Sequence, residues 1–359
     1  MPQPRGFGVI LAFLFVLPCC VAAQSPPPTD ANNIAQIKSL YDSRRYDAVV
    51  DAVPESPNEP ADLELYRGLA LAQLQRWDEA KSAFQTGLVL HPRDARLMVE
   101  LAGVLYRQKN FAQAKHFLRH ALSIEPGDAY SNDFLGSIYF LEGNLEAALQ
   151  YWNRAGKPRL ADLSYVPEPA IDPLILDRAF SFARGEVWTR GQYLSTEARL
   201  GALDLFPLMQ FDLQPQVPAP SAGAGSKDKT SDGSFNLVFR AQQRAPWTRN
   251  YLVGAFTFLR GLPFESVYPE FYDLDGAGLN SRSMLRWDDQ KRRLTTELAA
   301  PLFDNPALRY RLYFDARDEN WNITQTLLPA SPANARFNLE RIAAGAELHL
   351  IESGRGRWS

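Results

Sequence analysis

The chain has 359 residues, 46% hydrophobic and 22% charged, with 38 Lys and Arg against 41 Asp and Glu for a formal net charge of -3. That length accommodates about two or three domains, and the apolar fraction supplies packed cores, which excludes wholesale disorder. The near balance of charge leaves no basic footprint for nucleic acid.

At the N-terminus, Arg5 precedes the apolar run Phe7 to Leu17, followed by Pro18 and the small residues Val21, Ala22 and Ala23. A basic start, a short apolar run and small residues at the cut form a secretory signal over 1–23, so the mature chain is expected to begin at Gln24. The run is too short for a spanning helix. Cys19 and Cys20, the two cysteines, lie inside the signal. A lipoprotein reading fits poorly, since Pro18 stands where such signals carry a small residue before the cysteine. Removal of the signal leaves no thiol, excluding disulfides and thiolate chemistry.

Residues 24–160 repeat. Pro92 and Pro126 stand 34 residues apart. Gly68, Trp77, Ala80, Phe84 and Gly87 in one unit correspond to Ala102, Phe111, Ala114, Phe117 and Ala121 in the next. A third unit carries Gly136, Tyr139, Gly143, Leu145, Ala148, Trp152 and Ala155, and a degenerate first one Leu40, Tyr46 and Val49. Small residues in one helix let the next approach, while the aromatic residues fill the space between pairs. A single helical pair cannot bury its apolar face alone, so several must stack. The pattern resembles the tetratricopeptide repeat. The resemblance implies an all-α solenoid whose first helices line a groove for peptide or protein partners, with Tyr66, Arg96, Arg107, Tyr130, Asp133 and Phe134 near it. The Lys and Asn set that grips a C-terminal carboxylate in some members is not recognisable. His116 and His120 share a helix face, but no third ligand accompanies them, so no metal site is expected.

Residues 161–245 change character after Lys157-Pro158 and the prolines at 167, 169 and 173. An extended segment over Leu176 to Ala183 is expected, then the turn at Arg184-Gly185-Glu186 and a helix capped by Thr189. Phe206 to Leu213 and Phe235 to Arg240 alternate as a strand pair. The stretch between, at 214–233, is rich in Pro, Gly, Ser and charge and reads as a disordered insertion. Gly185, Leu200, Leu203, Phe206 and Phe211 make this region similar to a POTRA domain, the small α+β docking module of outer-membrane assembly and secretion barrels. The resemblance implies client recruitment at an unpaired strand edge.

Residues 246–359 read as antiparallel β, with strand candidates at Asn250 to Arg260, Leu279 to Trp287, Arg292 to Pro301, Leu308 to Asp318 and Ala335 to Ile351. Tyr310, Leu312, Phe314 and Ala316 point one way; Arg309, Arg311, Tyr313, Asp315 and Arg317 point the other. An apolar face backed by a charged one suits both a lipid-facing barrel strand and a half-buried soluble sheet. The stretches FLRGLPFESVYPEF and SMLRWDDQKRRLTTELAAPLFDNPALRYRLYFDARDENW resemble the opening strands of the surface-antigen superfamily of outer-membrane barrels. About five strands are too few for a single-chain barrel, which needs at least 8. The expectation is a partial barrel, from a fragment of a longer chain in preference to a barrel shared between protomers or a soluble sheet.

The sequence contains no GxSxG, GxGxxG, phosphate-binding loop or HExxH pattern. Asp288-Asp289 and Asp318-Glu319 suit strand-end turns, and the Asn322-Ile323-Thr324 sequon is incidental in a bacterial envelope. No catalytic residue, cofactor or nucleic-acid partner is expected. The leading expectation is a non-enzymatic envelope protein, its repeats and docking module in the periplasm beside an outer-membrane sheet in contact with lipid, acting in outer-membrane protein assembly or translocation. A polysaccharide export porin with periplasmic repeats, which would lack a POTRA-like module, and a soluble periplasmic scaffold are the alternatives.

Overall fold

The computed structural model describes residues 29–53, 60–216, 234–247, 251–323, 335–354 and 356–358. The signal at 1–23, most of the 214–233 insertion and the end of the sequon lie outside them. The chain forms two compact units, meeting between Asn110 and Phe111.

The first unit is helical: α1 (Thr29–Asp42), α2 (Tyr46–Ala52), α3 (Ala61–Gln73), α4 (Trp77–Leu90) and α5 (Ala95–Arg107). The Asp94 side chain starts α5 by accepting from the Arg96 and Leu97 backbone N–H groups, which have no helical partner of their own. Gln75 and Lys109, 34 residues apart, both take the left-handed conformation (φ 60°) that ends α3 and α5. Between α3 and α4 the spacing expectation holds: Gly68 faces the fully buried Phe84.

The second unit opens with α6 (Phe111–Ile124), α7 (Ala129–Leu141) and α8 (Leu145–Trp152). Gly136 faces Trp152 as Gly68 faces Phe84. The equivalent position in α6 is not Phe117 but Leu118, which is fully buried, while Phe117 is half-buried with its ring edge-on to His116 at 5.5 Å. Sequence comparison slipped there by one residue because an aromatic ring adjoins the correct aliphatic one.

An α/β module follows: β1 (Arg159–Val166), α9 (Pro173–Ala179), α10 (Arg190–Leu203), β2 (Leu208–Pro215) and β3 (Ser234–Gln242). Its sheet has the order β1-β3-β2, with β1 parallel and β2 antiparallel to β3. Leu176 to Ala179 is helical, not extended: the Asp172 side chain accepts from Leu174 N–H and Pro173 fits the first turn. The first strand lies earlier, between Pro158 and Pro167, where the prolines mask a run that alternates in burial. Thr189 and Gln192 close a full capping box on α10. Trp152, Leu160, Trp188, Leu213 and Leu237 share one core, so the last helical pair and the module pack as one body. Asn153 reinforces this by donating from Nδ2 to the Trp188 carbonyl at 2.9 Å and accepting from Arg190 N–H at 2.8 Å.

The remainder comprises α11 (Tyr251–Leu259), β4 (Ser266–Val267), β5 (Glu270–Phe271), β6 (Asn280–Trp287), β7 (Lys291–Leu302), β8 (Asn305–Ile323), β9 (Ala335–Ile351) and β10 (Arg357–Trp358). The expected strand at Asn250 to Arg260 is a helix instead; a nine-residue run without polar alternation fits either state on periodicity alone. The sheet runs β10-β9-β8-β7-β6-β4, with β5 also on β6, and all six of these pairings are antiparallel. Among the described residues it does not close into a barrel. No described helix is long and apolar enough to cross a membrane.

Candidate functional site

In the first unit, Tyr66 lies on α3, with its ring 5.7 Å from Tyr41, which in turn lies 5.4 Å from Tyr46. Burial pushes the Tyr41 phenol above its ordinary range, and Tyr46 adds to that shift. Glu100 on α5, which the sequence did not single out, is raised by burial. Arg96 is occupied: its guanidinium meets Asp62 at 2.7 Å and Asp94 at 2.8 Å, tying α3 to the start of α5. Arg107 is exposed in the last turn of α5.

In the second unit, Tyr130, Asp133 and Phe134 lie on α7. Tyr130 is 64% exposed, its ring 6.2 Å from that of Phe134. Asp133 is held by Lys157 at 2.8 Å, and its carbonyl accepts from Trp152 Nε1 at 3.2 Å, which anchors the end of the repeats to the strand that follows. One exposed aromatic residue on a first helix, Tyr130, thus coexists with charges engaged in ion pairs, while Tyr66 and Phe134 are half-buried. His116 and His120 join no group able to hold a metal among the described residues.

The module's sheet has unequal edges. The outer edge of β1 is taken at its start, where Leu160 N–H donates to Glu186 O at 3.1 Å and Trp188 N–H to Pro158 O at 2.8 Å. β2 lies at the other edge with no further strand beside it among the described residues. Beside it, a cavity of about 490 Å³ is lined by Glu142, Glu146, Tyr193, Glu197 and Phe211. Burial, then Glu197 and Glu146, push the Tyr193 phenol up to about 12; burial and Glu146 raise Glu197.

The large sheet is two-faced. Leu285, Leu294, Ala316 and Ile342 stand in one row across β6, β7, β8 and β9. Leu312, Phe314, Leu348 and Ile342 on that face are exposed, Ile342 by 80%. The opposite face carries a chain of ion pairs: Arg282 joins Asp204 at 3.0 Å and Glu297 at 2.9 Å, and Arg311 joins Glu297 at 2.8 Å and Glu347 at 2.9 Å. Tyr310, Leu312, Phe314 and Ala316 therefore oppose Arg309, Arg311, Tyr313, Asp315 and Arg317 as the alternation implied.

Residues 71–138 match the family model of the tetratricopeptide repeat. This segment is built of tetratricopeptide repeats. Such repeats serve as scaffolds for protein and peptide interaction. The chain is similar to a crystal structure of MamA at 19% identity, covering 35% of this chain and 78% of that one with a TM-score of 0.32. It is similar to MamA 41-end from Desulfovibrio magneticus RS-1 at 14% identity, over 35% and 73% of the two chains, TM-score 0.33. A third likeness is to the second repeat domain of Spaghetti (RPAP3) bound to HSP90 peptide SRMEEVD, at 17% identity over 26% and 88%, TM-score 0.26. No curated protein matches the chain.

Proposed function

We propose that the chain is a non-enzymatic cell-envelope docking protein, whose repeats and POTRA-like module hold polypeptide clients beside a sheet embedded in an outer membrane, in protein assembly or translocation. The observation that carries this reading is the two-faced sheet. A row of exposed aliphatic and aromatic side chains over four strands is costly in water and stable in hydrocarbon, while the ion-paired face suits a polar lumen. The β-α-α-β-β order, with β2 at an edge that has no further strand among the described residues, supports the POTRA-like part, since an extended client segment could add there by main-chain hydrogen bonds. That same order weighs against the polysaccharide porin, which predicts no such module. The exposed Tyr130 offers a repeat-side contact for peptide.

The test is reconstitution of the full chain into liposomes, followed by addition of an unfolded outer-membrane β-barrel protein and measurement of its folding by band shift on unheated gels. Faster folding than in empty liposomes is expected. An unchanged rate, with the chain shown to be inserted, contradicts the proposal.

A further inference from the structure

A cavity of about 410 Å³ lies at the foot of the charged sheet face, lined by Arg282, Glu297, Arg309, Arg311 and His349 and bordered by Ala202 of α10. Most charges here are matched. Arg244 lies 3.5 Å from Asp204, so Arg244, Arg282 and Arg311 face Asp204, Glu297 and Glu347, three cations against three carboxylates. His349 leans on Glu347 at 3.2 Å. Arg309 is the exception. Its Nε is shielded from solvent and has no hydrogen-bond partner, and its guanidinium makes no ion pair among the described residues.

Asp204 and Glu297 act on Arg309 from a distance and Arg282 opposes them, but no carboxylate among the described residues touches it. A half-buried guanidinium left without a direct partner is costly, and its planar fork is shaped for two parallel bonds to an oxyanion. We infer that this cavity is a binding site for a single carboxylate, held by Arg309. The matched set around it leaves one positive charge in excess, which suits a monoanion; a phosphate dianion would face Glu297 and its neighbours with a charge to spare. The volume admits a carboxylate with part of the side chain or small molecule that carries it. Two sources supply this chemistry, a free small acid or an Asp or Glu side chain on a polypeptide, and the site follows from the charge balance whether or not the sheet lies in lipid.

The experiment uses the full chain in detergent, with chloride replaced by acetate at constant ionic strength and binding read as a saturable shift in thermal midpoint. A capped Gly-Asp-Gly peptide and its Gly-Asn-Gly counterpart form a second arm. Acetate is expected to saturate in the wild type and in Arg317→Gln, a control whose guanidinium lies on the same face but is paired with Asp315. Arg309→Gln should bind at least tenfold more weakly, and without added acid it should be no less stable than wild type, since it removes an unmatched charge. Binding of the Asp peptide more tightly than acetate assigns the site to polypeptide carboxylates; acetate binding alone assigns it to small acids. Equal responses of wild type and Arg309→Gln, no saturable response, or tighter binding of phosphate than of acetate overturns the inference.

Discussion

A Cβ atom placed on Gly68 would lie 2.6 Å from both Cδ1 and Cζ of the Phe84 ring, and one on Gly136 would lie 2.5 Å from Trp152 Cδ1. Both contacts join a glycine in the first helix of a pair to a ring 16 positions later. Two effects compete on substitution. Alanine in a helix gains about 0.5 to 1 kcal/mol over glycine, but forcing a methyl into a packed ring costs about 1 to 3 kcal/mol. Neither ring has a free end to swing away, so the steric cost prevails. Gly68→Ala and Gly136→Ala should each lower stability by about 1 to 2 kcal/mol in denaturant titrations, whereas Gly103→Ala, with open space around its Cβ, should raise it.

Asn280 ties the large sheet to the end of α10. It is buried, donates from Nδ2 to the Leu203 carbonyl at 2.7 Å and accepts at Oδ1 from Asp273 N–H at 3.1 Å. Asn280→Ala orphans both groups, at about 1 to 3 kcal/mol each. Faster amide hydrogen exchange at Leu203 to Leu205 and in the 273–280 turn is the expected result.

Glu100 gives a pH signature. Burial raises its folded pKa above the unfolded value, so the stability tied to its proton is fully present below the unfolded pKa and is lost as pH rises through the folded one. Above the unfolded value the wild type bears the cost of burying this carboxyl group. Glu100→Gln should therefore be more stable than wild type at pH 7, and the gap should close as pH falls to about 4. Thermal midpoints across that range check both statements.

Phe314 and Tyr313 are neighbours in sequence on opposite faces of β8. If the face with Phe314 meets hydrocarbon, Phe314→Arg should cost about 2 to 4 kcal/mol of membrane stability. Tyr313→Arg, on the ion-paired face, should cost far less. Urea unfolding from liposomes distinguishes them.

Much of this architecture was readable in the sequence for physical reasons. The glycine and ring pairs recur at fixed offsets because helices must approach closely there, Thr189 announces a helix start, and the alternation at 309–317 maps onto two faces of one strand. Local signals failed at α9 and α11, whose apolar runs carry no decisive period, and at β1, hidden between two prolines. Asp62 as a partner of Arg96 and Lys157 as the partner of Asp133 were invisible because they lie 34 and 24 positions away. Only the fold reveals that these two candidate groove residues are already engaged, and that Arg309 is not.

The central claim, that one face of the β6 to β9 sheet lies against lipid, is tested most directly by thiol accessibility. With Cys19 and Cys20 replaced by serine, single cysteines at 312, 314 and 342 are compared with cysteines at 311, 315 and 347 in the full chain reconstituted in liposomes, using a water-soluble maleimide and a lipid-phase quencher of the attached dye. The account predicts that 312, 314 and 342 resist the maleimide and are quenched from the lipid phase, while 311, 315 and 347 react from water. Equal labelling of both sets, or protection of 312, 314 and 342 that persists without lipid or detergent, would contradict it.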